Sequence, residues 1–200
     1  MTEQTLSRRR RILREALSLA GLVLLIFAAR SSLADHYHVP SGSMEYTLQV
    51  GDRVVVDKSA YGLRVPFTLQ RLTAGDAVDR GEVVIFDSPA NGKRLIKRIV
   101  AIGGDRVALV NGRLSINGKP LTTGRDVERF GSRIAELRLD SGGGPDIEIA
   151  VPEGMLLAVG DHRGNSLDGR AFGLVPEREV YGKAVAVYYR RGDGFTWRSL

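Results

Sequence analysis

Leu95-Ile-Lys-Arg-Ile-Val-Ala-Ile102 is the stretch that decides the fold. It is short, rich in β-branched residues, and bounded by Lys93-Arg94 and Gly103-Gly104. Such a run forms a buried strand more readily than a helix, which needs more length and a wider period. Two runs upstream share its make-up: Glu82-Val-Val-Ile-Phe86 and Arg53-Val-Val-Val-Asp57. Asn91-Gly92, Asn111-Gly112 and Asn117-Gly118 are favoured hairpin turns. Val107-Ala-Leu-Val110 and Arg113-Leu-Ser-Ile116 therefore read as a meander. Ala184-Val-Ala-Val-Tyr-Tyr189 reads as a closing strand. Residues 122–150, rich in charge and glycine, read as an excursion or a mobile segment beside the core. From residue 35 onward the chain is expected to be all-β or nearly so.

The chain has 200 residues, enough for one ordinary domain with a small insertion. The absence of cysteine excludes disulfides, thiol catalysis and zinc–thiolate sites. The formal net charge is +6, and residues 1–15 carry +3 of it through Arg8, Arg9, Arg10, Arg11 and Arg14 against Glu3 and Glu15. A nucleic-acid binder could have such a tail. The next segment points elsewhere. Ala16 to Ala29 has no charge, and the stretch reaches 19 residues if counted through Arg30 to Ala34. A membrane-spanning helix needs about 20 residues, and an arginine near its end can reach the headgroups. A cleaved secretory signal is the rival reading, with Ser32-Leu33-Ala34 as a small-x-small cleavage site. Either way the arginines stay in the cytoplasm and the chain beyond residue 35 is exported.

Pro40-Ser41-Gly42-Ser43-Met44 is the densest polar cluster near that segment. Its residue types make turns. In extended backbone, however, Ser41 and Ser43 face the same way, so one hydroxyl could attack while the other donates to an oxyanion. Ser43 lies nine residues past Ala34, a reach of at most about 30 Å. Its base could be His36, His38 or His162, oriented by Asp35 or Asp161, but no spacing favours a histidine. No metal site is expected from these histidines. Lys97 sits among apolar neighbours, and burial lowers a lysine's pKa toward the range of a general base. The alternative is a solvated strand lysine. Gly160-Asp161-His162-Arg163-Gly164-Asn165-Ser166-Leu167-Asp168-Gly169-Arg170 is a loop in which Asp168 and Arg170 could pair and Ser166 could hold a lysine amine.

These segments, in this order, resemble bacterial type I signal peptidase. The resemblance rests on Pro40-Ser-Gly-Ser-Met44 through Asp52, Gly51 through Lys58 with Tyr61-Gly62, Arg80 through Phe86, Ile96 through Asp105, and Gly160 through Arg170 followed by Phe172-Gly-Leu-Val-Pro176. Tyr46 stands where the family usually has Pro. The resemblance implies a membrane-bound serine endopeptidase with Ser43 as nucleophile and Lys97 as general base. Ser41 and the Ser43 N–H would form the oxyanion hole. Ser166 would orient the lysine, and Asp168 with Arg170 would brace the site. It implies an antiparallel β-sheet catalytic domain over 35–200, with a small β insertion within 106–150. Before it would come one transmembrane helix at 16–34 and a cytoplasmic tail at 1–15. The substrates would be preprotein signal peptides, cut after small residues in an Ala-x-Ala pattern. No cofactor and no nucleic acid are implied. The partners would be the lipid bilayer and the protein export machinery, at the bacterial plasma membrane with the catalytic domain outside. Two other readings remain at this point: a processing protease dedicated to one secretion or conjugation system, and a non-catalytic, membrane-tethered binding domain.

Overall fold

The computed structural model describes residues 3–65, 68 and 70–200, with side chains from residue 11 onward except 29, 30 and 32. The chain opens with α1 (Glu3–Ser32), a 30-residue helix about 45 Å long. The helix continues unbroken through the basic segment expected to form a separate tail. Most of its large apolar side chains, Leu17, Leu19, Leu22, Leu24, Leu25, Ile26 and Phe27 among them, are more than half exposed. Among the described residues no helix is long and apolar enough to cross a membrane. The strict apolar run stops at 14 residues, where Arg30 follows; the side chain of Arg30 lies outside the described residues.

Fourteen strands follow: β1 (Ala34–His38), β2 (Arg53–Asp57), β3 (Val83–Asp87), β4 (Arg94–Ala101), β5 (Arg106–Val110), β6 (Arg113–Ile116), β7 (Lys119–Pro120), β8 (Val127–Phe130), β9 (Arg133–Glu136), β10 (Ile147–Ala150), β11 (Met155–Val159), β12 (Val175–Pro176), β13 (Val180–Arg190) and β14 (Gly194–Ser199). One helical turn, α2 (Gly169–Phe172), lies between β11 and β12. The main sheet runs β1-β2-β13-β3-β4-β11-β12, with β14 paired to β13. A second sheet runs β10-β5-β6-β7, and β8 pairs with β9. Every strand pair is antiparallel.

The fold follows from apolar runs that must bury both faces. In β4, Ile96 sits opposite Ile85 and Lys97 opposite Val84. Ile96 joins Val39, Met44, Leu48 and Val54 in one apolar cluster, and Ile99 joins Tyr61, Phe86 and Ala158 in another. A third cluster unites the two sheets, with Val100 and Leu157 packed beside Val107, Leu109 and Leu114. Each fully buried aliphatic side chain contributes about 1.5–3 kcal/mol. Asn111 and Gly112 (φ 49° and 75°) and Asn117 and Gly118 (φ 52° and 76°) supply the left-handed turns that close β5–β6 and β6–β7.

Two expectations need correction. Residues 184–189 belong to a longer strand, β13, which lies between β2 and β3 rather than closing the sheet, and β14 follows it. Residues 122–150 are no excursion beside the core: Phe130, Ala135 and Leu137 are buried within it. The hairpin β8–β9 turns Phe130 and Ala135 inward beside the buried charge of Glu128 and leaves Ile134 half exposed, so apolar and charged residues mix on both faces and no apolar period shows in the sequence.

Candidate active site

The segment after β1 turns back over the main sheet. Ser41 is extended, and Gly42–Met44 forms a short 3-10 turn. Met44 and Leu48 are fully buried and pin this turn to the apolar cluster beneath it. The Leu48 N–H donates to the Met44 carbonyl at 2.8 Å, which closes the segment. The turn leaves Ser43 8% exposed, facing Lys97 on β4. Lys97 Nζ lies 2.5 Å from Ser43 Oγ, and the lysine itself is 3% exposed. Burial lowers its pKa to about 8; the Asp168 and Asp161 carboxylates oppose that fall, and Arg170 adds to it.

Ser41 Oγ lies 3.5 Å from Ser43 Oγ. Asp168 caps α2 and pairs with Arg170 through two bonds of 2.8 and 2.7 Å. Burial alone would raise the Asp168 pKa, but the hydrogen bonds and charge of Arg170, with the Gly160 N–H and the Ser166 hydroxyl, together hold it below the usual carboxylate value. Arg170 also donates to the carbonyls of Gly143 and Arg163, which ties the loop to the segment before β10. The Ser166 hydroxyl is buried beside Gly160, near the Asp168 carboxylate, and makes no hydrogen bond to Lys97.

The signal peptidase, peptidase S26, family profile matches residues 12–189. This chain belongs to the signal peptidase family. It is 30% identical to signal peptidase I of Haemophilus influenzae over 86% of this chain and 68% of that one. It is 32% identical to signal peptidase I of Pseudomonas fluorescens over 84% of this chain and 69% of that one. A crystal structure of a signal peptidase I from Enterococcus faecalis V583 is 28% identical, covering 55% of this chain and 98% of that one, with a TM-score of 0.43.

In this member of the signal peptidase family the candidate dyad rests on buried ion pairs. Arg98, next to Lys97, binds Asp161 through contacts of 2.9 and 2.8 Å, and Thr47 Oγ1 donates to the same carboxylate at 2.5 Å. Arg163 pairs with Glu128 at 2.6 Å, and both side chains are fully buried. Asp161, considered in the sequence as a histidine orienter, thus serves Arg98. His36 and His38 lie on β1, and among the described residues neither contacts Ser43. No group of residues suited to a metal ion occurs among the described residues. Sequence reasoning missed Thr47, Glu45, Glu128 and Arg138, and it left His162 as a loop residue. Only the density of charge in Asp161-His162-Arg163 hinted at buried pairing.

Gly160 allows the loop after β11 to approach the Ser43 turn closely. A Cβ there would overlap the Ser43 carbonyl oxygen and the Ser166 hydroxyl. Gly160→Ala is expected to push the loop off the Ser43 turn, destabilising the fold by about 1–3 kcal/mol. It should also lower kcat for preprotein cleavage more than tenfold. A urea melt combined with a cleavage assay measures both effects.

Proposed function

We propose that the chain removes signal peptides from exported preproteins by a Ser43–Lys97 dyad while tethered to a membrane by its N-terminal helix. The observation that carries the dyad is the contact between Lys97 Nζ and Ser43 Oγ in a buried site where the lysine pKa falls to about 8. Neutral Lys97 takes the Ser43 proton as Oγ attacks the scissile carbonyl carbon. The resulting oxyanion accepts hydrogen bonds from Ser41 Oγ and the Ser43 N–H. The C–N bond breaks, the departing amine takes the proton from Lys97, and an acyl-enzyme remains. Lys97 then deprotonates the water that releases the signal peptide. Ser166 holds the neutral amine in this reading, as the resemblance implies. Asp168 and Arg170 brace the loop that carries it. Cleavage follows small residues in an Ala-x-Ala pattern, as the resemblance implies. For the tether, the support is the exposure of the apolar side chains of α1 and the five arginines before them, which fit lipid with the N-terminus on the cytoplasmic side.

Cleavage of a preprotein by wild type, Ser43→Ala and Lys97→Ala tests the dyad. Both variants should lose at least about a thousandfold in kcat. Wild-type rates for Lys97→Ala would exclude lysine as the base. The pH profile is a second check. Because the neutral amine is the active form, kcat/KM should rise about tenfold per pH unit below 8 and level off above it. Retention of the full chain in membranes after alkaline carbonate washing tests the tether; release into the supernatant would sink it.

A further inference from the structure

His162 is 4% exposed, and its ring lies against the nucleophile turn. Its backbone N–H donates to the Ser43 carbonyl at 3.1 Å, and its Nδ1 lies 3.2 Å from the Gly42 carbonyl oxygen. A carbonyl can only accept, so Nδ1 carries the proton. On its other side Nε2 lies 2.9 Å from Asp140 Oδ1, without an aligned hydrogen bond. Glu45 Oε2 is 3.6 Å from Nδ1. Arg138 ties the two carboxylates together, bonding Glu45 and, at 2.7 Å, Asp140. Both ring nitrogens therefore face acceptors, and the backbone N–H bond to Ser43 keeps the ring against the turn.

The Gly42 carbonyl and the Ser43 N–H belong to one planar peptide unit. Among the described residues the only cis peptide is Glu45–Tyr46, so the Gly42–Ser43 peptide is trans and its C=O and N–H point in opposite directions. Holding one end fixes the aim of the other. The Gly42 oxygen accepts from the Glu45 N–H at 3.1 Å as well as from His162, and both bonds draw electron density toward it. That makes the N–H at the far end a stronger donor.

We propose that His162 is a positioning residue for the oxyanion hole, its Nδ1–H holding and polarising the Gly42–Ser43 peptide whose N–H receives the developing negative charge. The proposal rests on the reading of Ser43 as nucleophile. Asparagine at this position matches the imidazole as far as its Nδ1 and retains a donor for Gly42; leucine has the same reach and no donor.

The test compares full-length wild type, His162→Leu, His162→Asn and Ser43→Ala in detergent. Three readouts are taken: kcat and KM on a preprotein, affinity for a peptide aldehyde that adds to Ser43 to form an oxyanion, and affinity for an uncleavable peptide of the same sequence. His162→Leu is expected to lose about 10–100-fold in kcat. Its aldehyde affinity should fall by a similar factor, while KM and uncleavable-peptide affinity stay within about threefold. His162→Asn should recover most of both losses. If His162→Leu does not fold, His162→Asp replaces it in the comparison with Asn, because its oxygen would oppose the Gly42 carbonyl. Wild-type kcat in the donor-free variant overturns the proposal, as does equal loss of aldehyde and uncleavable-peptide binding. Cleavage by Ser43→Ala would overturn the nucleophile reading; its inactivity together with a fully active His162→Leu would overturn the His162 role alone.

Discussion

Lys97→Met is expected to abolish cleavage and to stabilise the fold at neutral pH in the same variant. The native site holds an ammonium in apolar surroundings whenever the pH is below about 8. An unfolded chain releases that proton near 10.5, so between the two values the unfolded state binds more protons and stability rises with pH. Below pH 8 the full penalty is present, about 3 kcal/mol. Methionine has a similar length and no charge, so Lys97→Met should gain up to about 3 kcal/mol at pH 7. The gain should fade as the pH approaches 10.5. Urea melts of both proteins at pH 7 and pH 10 measure the difference. Equal stability at pH 7, or a gain that persists unchanged at pH 10, would show that the site does not disfavour the charged lysine. The same variant should lose at least about a thousandfold in kcat.

The second large effect falls on the pair that joins the hairpin β8–β9 to the loop after β11. Arg163 and Glu128 are fully buried, and Arg163 also donates to the carbonyls of Gly160 and Gly112. Glu128→Leu leaves the guanidinium buried with no counter-charge, a loss of about 3–5 kcal/mol. The double variant Glu128→Leu/Arg163→Met removes both charges and should recover part of that stability. Thermal or urea unfolding of the single and double variants reads this out. A single variant within about 1 kcal/mol of wild type would mean that the pair is not desolvated as the structure places it. Because Arg163 directly follows His162, the single variant should also lower kcat.

Short runs of Val and Ile made the strands near residues 53–57, 82–86 and 95–102 legible, because a strand buried on both faces leaves a nearly continuous apolar signature. Asn-Gly pairs marked the hairpins for an equally local reason. Strand order was not legible. Nothing within residues 180–190 says that they lie between β2 and β3; that depends on the partners. β14 was missed because Phe195 and Trp197 face outward, 86% and 66% exposed, so its pattern signals no burial. At the site, Ser43 and Lys97 are 54 residues apart and were linked by the order of motifs, not by spacing. The buried pairs had no such signal, since Arg98 and Asp161 stand 63 positions apart and charge alone does not name its partner.

Only Leu33 separates α1 from β1, and the Lys58 N–H holds its carbonyl at 3.0 Å. β1 then zips along all of β2, from Ala34 opposite Asp57 to His38 opposite Arg53. The junction has no slack. A change in helix inclination becomes a rotation of the whole sheet, as a mast turns the deck it is bolted to. Were α1 to lie in a bilayer as proposed, the height and heading of the Ser43–Lys97 site above it would be set by the lean of one helix, and bilayer thickness would become a variable of the enzyme.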